Sequence, residues 1–315
     1  MTFVVDWAID PTGALAVVSE EAIGELPSMA RPGGVCVTVN GAVVVSEPEA
    51  NRLRWTEPGG RSLLIGGMPG CDDGAPSEAS FRHPLGVAAA PDGSVVVADA
   101  ENHAIRRVEP DGWVTTVAGG RYGAVDGRGH DARFRSPRGV AVTLDGTVLV
   151  ADTVNDTIRR VGADGVVTTI AGGIYGHGDI DAGRVAFRQP EALAVGSDGT
   201  VYVADTGNDR VVSISPSGQA RLVAGRRAPG RSLAPAPDLR WPTSLAVNVG
   251  GTLYVTDAGA NAVRRVGPDG ASAALLSDPD WQPVALSLSA DDRVLVAEAR
   301  WTLGHMTGRL LTVEP

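Results

Sequence analysis

Six prolines divide this 315-residue chain at intervals of 52, 53, 53, 52 and 41 residues, and an acid follows each proline by fifteen residues. The prolines are Pro32, Pro84, Pro137, Pro190, Pro242 and Pro283. The acids are Glu47, Asp99, Asp152, Asp205, Asp257 and Glu298. A self-repeat of about 50 residues indicates a repeat architecture, which constrains the fold more than any other feature. Positions shared by the copies indicate structure, whereas positions that differ on a common surface are where function can be sought.

Each copy contains four short apolar runs separated by turns. In the third copy the runs are residues 139–142, 147–152, 157–161 and 166–171. Asp-Gly pairs at residues 145–146 and 164–165 separate β-branched runs, which is a strong hairpin signal. Each copy is therefore predicted to form four antiparallel strands, and such units repeated radially are the blades of a β-propeller.

The second to fourth copies share a more specific motif. Val-Val-Val-Ala-Asp-x-x-Asn ends at Asn102, and close variants end at Asn155 and Asn208. Ile-Arg-Arg-Val follows at residues 105–108, and Ala-x-Phe-Arg-Ser-Pro occupies residues 132–137. This combination, recurring in register within residues 32–315, resembles the NHL-repeat family. The resemblance implies an all-β, six-bladed β-propeller of the NHL type, but such a fold does not fix an activity.

The two ends of the chain indicate how the ring closes. The sixth copy stops at Pro315 before its fourth run, and residues 3–9 form an unassigned apolar run. We predict a single β-propeller domain over residues 1–315, in which residues 1–31 hold a strand that closes the last blade and an extra hairpin. The blades begin near residues 32, 84, 137, 190, 242 and 283. Because residues 10–20 resemble a blade hairpin, a seven-bladed propeller with a degenerate first blade is the alternative.

Composition restricts the partners. The formal net charge of −10 disfavours nucleic acid, because nucleic-acid-binding domains are usually basic. With 43% hydrophobic residues the chain can bury a large core, yet no apolar stretch approaches the ~20 residues of a membrane span. The N-terminal residues lack the basic and apolar regions of a signal peptide, so we expect a soluble, cytoplasmic protein.

Two residue types limit the chemistry. All 27 basic residues are arginine, which excludes Schiff-base and lysine-general-base mechanisms and a Walker lysine. Cys36 lies in a first strand and Cys71 lies between blades. Their positions indicate neither a disulfide nor a CxxC motif, so thiol redox chemistry is not expected.

The repeated polar and aromatic positions are predicted to be structural. The acid that ends each second strand can bind backbone N–H groups of the following turn, as can Asn102 and its equivalents. Phenylalanines 81, 134 and 187 are expected to pack between neighbouring blades. The arginines that follow in the repeat are Arg82, Arg135, Arg188 and Arg240. They are expected to form inter-blade bonds, and the alternative is an arginine collar that attracts anions.

The residues beside each proline differ from copy to copy. Those before the prolines are Arg31, His83, Ser136, Gln189, Trp241 and Gln282. Those after the prolines are Gly33, Leu85, Arg138, Glu191, Thr243 and Val284. Both positions should lie where a loop enters the innermost strand, at the mouth of the central channel. Convergent polar groups in a concave setting are typical of a ligand site. The alternative is neutral sequence variation at a solvent-exposed rim.

Eleven residues are therefore candidates for a role at this site. The candidate catalytic residues are His83, Glu191, Arg138, Tyr122 and Tyr175. The candidate ligand-binding residues are Arg31, Gln189, Trp241, Gln282, His130 and His177. Arg138 and Glu191 occupy neighbouring blades, so they should pair until a ligand carboxylate or phosphate competes for Arg138. Glu191 is then a candidate general base, and His83 a candidate proton donor or acceptor.

No cofactor is predicted and no metal ligand is assigned, although two weak patterns allow a divalent metal. His83, His130 and His177 could converge on zinc if adjacent loops share one face, but they are not in register with the repeat. Residues 179–183 read Asp-x-Asp-x-Gly, which resembles the start of a calcium loop without its later ligands.

The sequence therefore supports two functions at one location. The first is a module that binds a small ligand or a protein partner at the loop-rich mouth of the channel. The alternative is a small-molecule enzyme, namely a lyase, hydrolase or isomerase, with its active site at the same mouth and with or without a metal. RNA binding is disfavoured by the negative charge.

Overall fold

The computed structural model of the chain describes residues 7–9, 15–17, 30–173, 176, 185–225, 239–302 and 305–313. Among the described residues, six antiparallel sheets are the six blades of a β-propeller, and a seventh, two-stranded sheet lies near the N-terminus of the sequence. The first strands of the blades contact one another in a closed cycle, from blade 1 through blade 6 and back to blade 1. The predicted six-bladed fold is therefore confirmed, and the alternative of a seventh blade is wrong.

The strands follow the predicted order. Two short strands come first, β1 (Trp7–Ile9) and β2 (Leu15–Val17). Blade 1 contains β3 (Gly34–Val37), β4 (Val43–Glu47), β5 (Arg52–Thr56) and β6 (Ser62–Gly66). Blade 2 contains β7 (Pro84–Ala89), β8 (Val95–Asp99), β9 (Ala104–Val108) and β10 (Val114–Gly119). Blade 3 contains β11 (Gly127–Arg128), β12 (Gly139–Val142), β13 (Val148–Asp152), β14 (Thr157–Val161) and β15 (Val166–Gly172). Blade 4 contains β16 (Pro190–Val195), β17 (Val201–Asp205), β18 (Arg210–Ile214) and β19 (Ala220–Gly225). Blade 5 contains β20 (Pro242–Val247), β21 (Leu253–Asp257), β22 (Ala262–Val266) and β23 (Ser272–Ser277). Blade 6 contains β24 (Gln282–Leu288), β25 (Val294–Thr302) and β26 (His305–Val313).

A one-turn 3-10 helix joins the second and third strands in blades 1 to 5. These helices are Pro48–Ala50, Ala100–Asn102, Thr153–Asn155, Thr206–Asn208 and Ala258–Ala260, and a further one spans Gly129–Asp131. The five inter-strand helices end on Asn51, His103, Asp156, Asp209 and Asn261, which all have φ between +48° and +54°. Asparagine, aspartate and histidine are the non-glycine residues most often found in this left-handed region.

The hydrophobic core lies between the blades. The second strands β4, β8, β13 and β21 are buried at every position, as continuous apolar runs predict for strands covered on both faces. Phe81, Phe134 and Phe187 are 0% exposed, and each packs in a cluster that joins strands of two blades. Their predicted role as inter-blade anchors is confirmed. In the part of the chain that the structure describes, there is no helix that could span a membrane.

The N-terminal closure differs from the prediction. β1 pairs with β2 in its own two-stranded sheet, in the register Trp7 to Val17. β26 forms the outer strand of blade 6 among the described residues. The prediction that residues 3–9 supply the fourth strand of the last blade is therefore wrong for Trp7–Ile9. β1 and β2 are separated by five residues in the sequence, so their pairing costs less loop-closure entropy than pairing with a strand nearly 300 residues away.

The six repeated acids lock each blade internally, and all are at most 1% exposed. Each binds an arginine of the third strand of its own blade. The pairs are Glu47 with Arg52 and Arg54, Asp99 with Arg106, Asp152 with Arg159, Asp205 with Arg210, Asp257 with Arg264, and Glu298 with Arg309. The arginines of blades 2, 3 and 4 are buried. These partners were not recognised from the sequence, although the Arg-Arg pairs at residues 106–107, 159–160 and 264–265 contain three of them.

Blade 3 shows the lock in full. Asp152 Oδ1 accepts the backbone N–H of Arg135 at 2.7 Å, and its Oδ2 accepts from Asn155 Nδ2 at 2.7 Å and Arg159 at 2.9 Å. The carboxylate therefore ties the segment before the first strand to the third strand. The structural role agrees with the prediction, but the predicted bond to the backbone of the following turn is wrong, since the turn has no side-chain cap.

Candidate functional site

A cavity of ≈ 530 Å³ opens at the end of the channel where the first strands begin. Every blade contributes to its wall through the residues that follow the repeated prolines. Of the predicted site residues, the wall contains Arg31, His83, Arg138, Glu191, Trp241 and Gln282. The structure thus brings together six side chains that are spread over more than 250 residues of sequence.

The residues before the prolines are held in an unusual backbone conformation. φ is +53° at His83, +51° at Ser136, +49° at Gln189 and +53° at Trp241. Non-glycine residues in this region are strained and persist only where the surroundings hold them. Here each backbone N–H donates to a side chain of the preceding blade. The acceptors are Asn51 Oδ1 at 3.0 Å, His103 Nδ1 at 3.2 Å, Asp156 Oδ1 at 2.7 Å and Asp209 Oδ1 at 3.0 Å.

These bonds, which we call the pre-proline locks, connect the mouth segments of blades 2 to 5 to the left-handed residue that ends the 3-10 helix of the previous blade. The sequence analysis missed them. Their signal was present, because an acceptor side chain recurs 32 or 33 residues before the bonded residue. The locks fix the backbone of the mouth while leaving the side chains free to differ.

Arg138 and Glu191 form the expected ion pair between blades 3 and 4. The Arg138 side chain is 42% exposed and the Glu191 side chain 21% exposed, so solvent and solutes can reach the pair. Removal from water raises the pKa of Glu191, and the charges of Arg138 and then Arg31 act in the opposite direction. The Nε atom of Arg138 is buried without a hydrogen-bond partner in the described part of the chain.

His83 lies on another part of the wall, beside two acids that the sequence analysis did not consider. Glu49 and Glu101 are exposed and line the cavity, and both also line an adjoining groove of ≈ 420 Å³ with His83 and Arg82. The two acids occupy the middle of the 3-10 helices of blades 1 and 2, two residues after the repeated acid. The equivalent position differs in the other blades, so the same position-by-position comparison could have found them.

Two other predicted ligand residues are fixed at the rim. Trp241 is 64% exposed, and its backbone is held by Asp209. Gln282 donates from Nε2 to the carbonyl oxygen of Ala258 at 3.2 Å, which ties blade 6 to blade 5. Trp241 therefore offers an accessible aromatic face, while Gln282 already uses one of its two N–H donors.

Three predicted residues lie outside the cavity wall. Tyr122 is 55% exposed and packs edge-to-face against His103, with a ring distance of 5.3 Å, and the Arg135 guanidinium lies 5.0 Å from the centre of the Tyr122 ring. His130 Nδ1 lies 3.2 Å from the carbonyl oxygen of Gly119, and Gln189 is exposed. The inter-blade loop that carries Tyr122 pairs with Phe134, so it runs along the blade boundary rather than over the channel. Tyr175 and His177 lie outside the described residues.

One apolar position recurs below the mouth in the first strand of every blade. It is the third residue after each proline, and all six side chains are at least 92% buried because they pack between neighbouring blades. They are Val35, Val87, Val140, Leu193, Leu245 and Leu286. Since a strand rises about 3.3 Å per residue, these residues lie about 7 Å below the positions of Arg138 and Glu191. The charged side chains of the mouth therefore stand directly above the apolar core that joins the blades.

Within the described ranges, no group of three or more histidine, cysteine or acidic side chains could hold a metal ion. His83 and His130 are not brought together, because His83 lines the cavity and His130 bonds the loop backbone. The Asp-x-Asp-x-Gly pattern at 179–183 falls outside the described residues. Its first aspartate is equivalent to Asp73 and Asp126, which each bind a buried arginine and a threonine.

Comparison with known proteins identifies the repeat. A model of the NHL repeat matches residues 81–107 and 187–212, which fall in blades 2 and 4. The chain therefore contains NHL repeats within a six-bladed β-propeller. NHL repeat-containing protein 2 of Bos taurus is 33% identical over 156 residues, covering 43% of this chain and 21% of that protein. Protein SUPPRESSOR OF QUENCHING 1, chloroplastic, of Arabidopsis thaliana is 34% identical over 161 residues, covering 45% of this chain and 15% of that protein. This NHL propeller therefore spans about a fifth or less of the length of these relatives.

Solved structures of similar shape include propellers that carry enzyme names. A streptogramin B lyase superposes with a TM-score of 0.58 at 15% identity, over 93% of this chain and 86% of that one. A gluconolactonase from Xanthomonas campestris superposes with a TM-score of 0.62 at 18% identity, over 90% of this chain and 88% of that one. At such low identity the likeness shows the propeller fold alone.

Proposed function

We propose that this NHL propeller binds a small molecule with an anionic group at the mouth of its central channel. The observation that carries the proposal is the convergence of Arg31 and Arg138 on the single carboxylate of Glu191, in a cavity of ≈ 530 Å³. Cavities of roughly 300–1,000 Å³ that have a few convergent polar groups are typical of small-molecule sites. A concave site of this size suits a small molecule better than the surface of a protein partner.

The ion pair gives the binding its chemistry. A planar guanidinium binds a carboxylate or phosphate through two parallel hydrogen bonds. Arg138 uses its NH1 atom for Glu191. A ligand anion would add to this pair or displace Glu191 from it, with Arg31 supplying the second positive charge. Because the pair is partly exposed, its exchange costs far less than opening a buried pair.

A panel of small anions tests this proposal. Acetate, hexanoate, inorganic phosphate and glycerol 3-phosphate are screened by thermal shift, and any that raise the melting temperature are titrated calorimetrically. For each anion that raises the melting temperature, we expect Arg138→Gln to weaken its binding at least tenfold, since a charged hydrogen bond contributes about 1.5–3 kcal/mol. Arg240→Gln is the matched control, because the Arg240 side chain is exposed and lies outside the cavity wall. The proposal fails if no anion binds, or if both variants bind equally well.

A second candidate function is hydrolysis of a small ester or lactone in the same cavity. It is favoured by the raised pKa of Glu191, because a carboxylate with such a pKa is a better general base near neutral pH. His83 lies on the same wall as a second group able to transfer a proton. The structural likeness to a gluconolactonase makes glucono-δ-lactone a reasonable first substrate.

Proton release on lactone opening, followed in a pH-stat, would detect this activity. We expect Glu191→Gln and His83→Ala to abolish turnover while leaving the melting temperature within about 2 °C of wild type, as is usual for exposed or half-buried polar sites. Turnover that persists in both variants would rule out this arrangement of groups.

A further inference from the structure

The arginines of the cavity wall act at the middle of the mouth. Arg138 of blade 3 pairs with Glu191 of blade 4, and the charge of Arg31 also acts on Glu191. Arg31 precedes the first strand of blade 1, which lies opposite blade 4 in the closed ring of six. Its positive charge therefore acts across the channel, so the two guanidinium groups serve one place.

Two further acids lie at a different place, on one edge of the cavity. Glu49 and Glu101 line both the cavity and the adjoining groove, as do Pro48 and His83, so these four residues form the junction between the two hollows. Both glutamates are exposed, and neither carboxylate has a hydrogen-bond or ion-pair partner within the part of the chain that the structure describes. They are available to a cation that reaches the junction from the cavity.

The cavity wall thus carries charges of both signs in separate places. It contains two arginines and three glutamates, which give a formal charge of −1 with histidine neutral. A cavity of ≈ 530 Å³ is comparable in width to the ~8 Å Debye length at physiological salt, so all five charges act on a bound molecule. A simple anion at Arg138 is attracted by the arginines but repelled by the acids of the junction. A molecule with charges of both signs gains at both places.

The wall between the two places is polar as well. In each of the six blades the first strand is the last strand of its sheet, so one of its edges presents backbone N–H and C=O groups towards the channel. The Gly86 N–H uses one such group, since it donates to the carbonyl oxygen of Arg138 at 2.8 Å and so joins blades 2 and 3. A polar ligand can therefore exchange hydrogen bonds to water for bonds to this wall.

We infer that the ligand is an elongated zwitterion, with its carboxylate at Arg138 and Arg31 and its ammonium group at the junction, between Glu49 and Glu101. This inference rests on the proposed function, because it names the class of anion that the same site accepts. The two charges of the ligand are several bonds apart, since the arginines act at the middle of the mouth and the free acids lie at its edge. An α-amino acid, whose two charges are neighbours, does not span this separation.

Matched pairs of compounds test the inference on the wild-type protein. Acetate is compared with glycine, butanoate with 4-aminobutanoate, and hexanoate with 6-aminohexanoate, by calorimetric titration at pH 7 and low ionic strength. The members of each pair differ only by an amino group. We expect this group to tighten binding about fivefold in the longest pair, the equivalent of ~1 kcal/mol for an accessible ion pair. It should not tighten binding in the shortest pair.

Three variants locate the ammonium group. Glu101→Gln should reduce the advantage of 6-aminohexanoate over hexanoate to about twofold or less, because one of the two acids of the junction is lost. Glu78→Gln is the matched control, since Glu78 is exposed and lies outside both hollows, and it should keep the full advantage. Trp241→Ala tests the other place for a cation, because an exposed aromatic face also attracts ammonium groups, and the advantage should survive it.

The outcomes separate this inference from the proposed function. If hexanoate and 6-aminohexanoate bind equally well and Arg138→Gln weakens both, the inference is wrong and the proposed function stands. An advantage that survives Glu101→Gln, or that is lost in Trp241→Ala, would place the ammonium group elsewhere and would also overturn the inference. The same holds if inorganic phosphate binds and no zwitterion does. If neither an anion nor a zwitterion binds, both fail together.

Discussion

The propeller contains two kinds of carboxylate–arginine pair, and the contrast between them separates structure from function. Asp152 and Arg159 are 0% and 1% exposed, and the same pairing recurs in each blade with small shifts of register. Glu191 and Arg138 are 21% and 42% exposed, and their residue types do not recur at the equivalent positions of other blades. A pair that is buried and repeated holds the fold, whereas a pair that is exposed and single is free to exchange partners.

The surroundings of the two pairs explain this difference. Burial raises the pKa of Asp152, as loss of water raises that of Glu191, so both carboxylates are costly to ionise. Asp152 is compensated by Arg135, Asn155 and Arg159 together. Glu191 has one guanidinium in contact and a second nearby. Asp152 therefore remains bound to its three partners, whereas a competing anion can replace Glu191 at Arg138.

The strongest test of the contrast is to remove one buried acid. Asp152→Ala leaves the buried guanidinium of Arg159 with only the half-exposed carboxylate of Asp126 as its charge partner, and breaking a buried pair costs up to about 3–5 kcal/mol. We expect a loss of this size in the free energy of unfolding, measured by urea denaturation. Asp164→Ala is the control, because Asp164 is exposed and binds only a turn N–H and a distant arginine. Equal effects of the two substitutions would show that the buried pair is not the stabilising element.

The pre-proline locks provide a test of intermediate size. His103 Nδ1 accepts the N–H of Ser136, where the equivalent positions of other blades use asparagine or aspartate. His103→Asn should therefore be tolerated, since Asn51 performs the same role in blade 1. His103→Leu removes the acceptor and should destabilise the protein by about 1–2 kcal/mol, as expected for an unsatisfied backbone donor. If asparagine and leucine are equally destabilising at this position, the acceptor role of His103 is refuted.

At the mouth, pH should change binding more than it changes stability. The raised pKa of Glu191 means that this carboxyl is neutralised at a higher pH than an ordinary glutamate. Neutralisation frees Arg138 and removes a negative charge that repels the ligand. Binding of hexanesulfonate, which stays anionic throughout, should therefore tighten severalfold between pH 8 and pH 5. The Glu191→Gln variant should bind hexanesulfonate tightly at both pH values. A pH dependence of binding that persists in this variant would show that another group titrates.

Comparison of the six copies predicted the blade boundaries and most of the cavity wall, because both follow from position within the repeat. The pairing of Arg138 with Glu191 could be predicted from the sequence, because adjacent blades place equivalent positions side by side. The pre-proline locks were missed because they link residues 32 or 33 positions apart. The buried arginines were missed because their position in the third strand shifts by two residues between blades, as Arg210 shows. Tyr122 was misplaced because the path of a loop depends on tertiary packing, which local sequence does not encode.

The smallest expected effect is the one that most sharply separates the two kinds of pair. Glu191→Gln should change the free energy of unfolding by less than about 1 kcal/mol at neutral pH, since partly exposed ion pairs contribute little. Because the folded state raises the pKa of Glu191, its contribution to stability is fully present at low pH and is lost as pH rises through that raised value. The melting temperature of the wild type should therefore rise relative to that of Glu191→Gln as the pH is lowered from 8 to 4. A variant that loses several kcal/mol at pH 7 would instead place Glu191 among the structural locks, and the mouth would no longer be the part of this propeller that is free to bind.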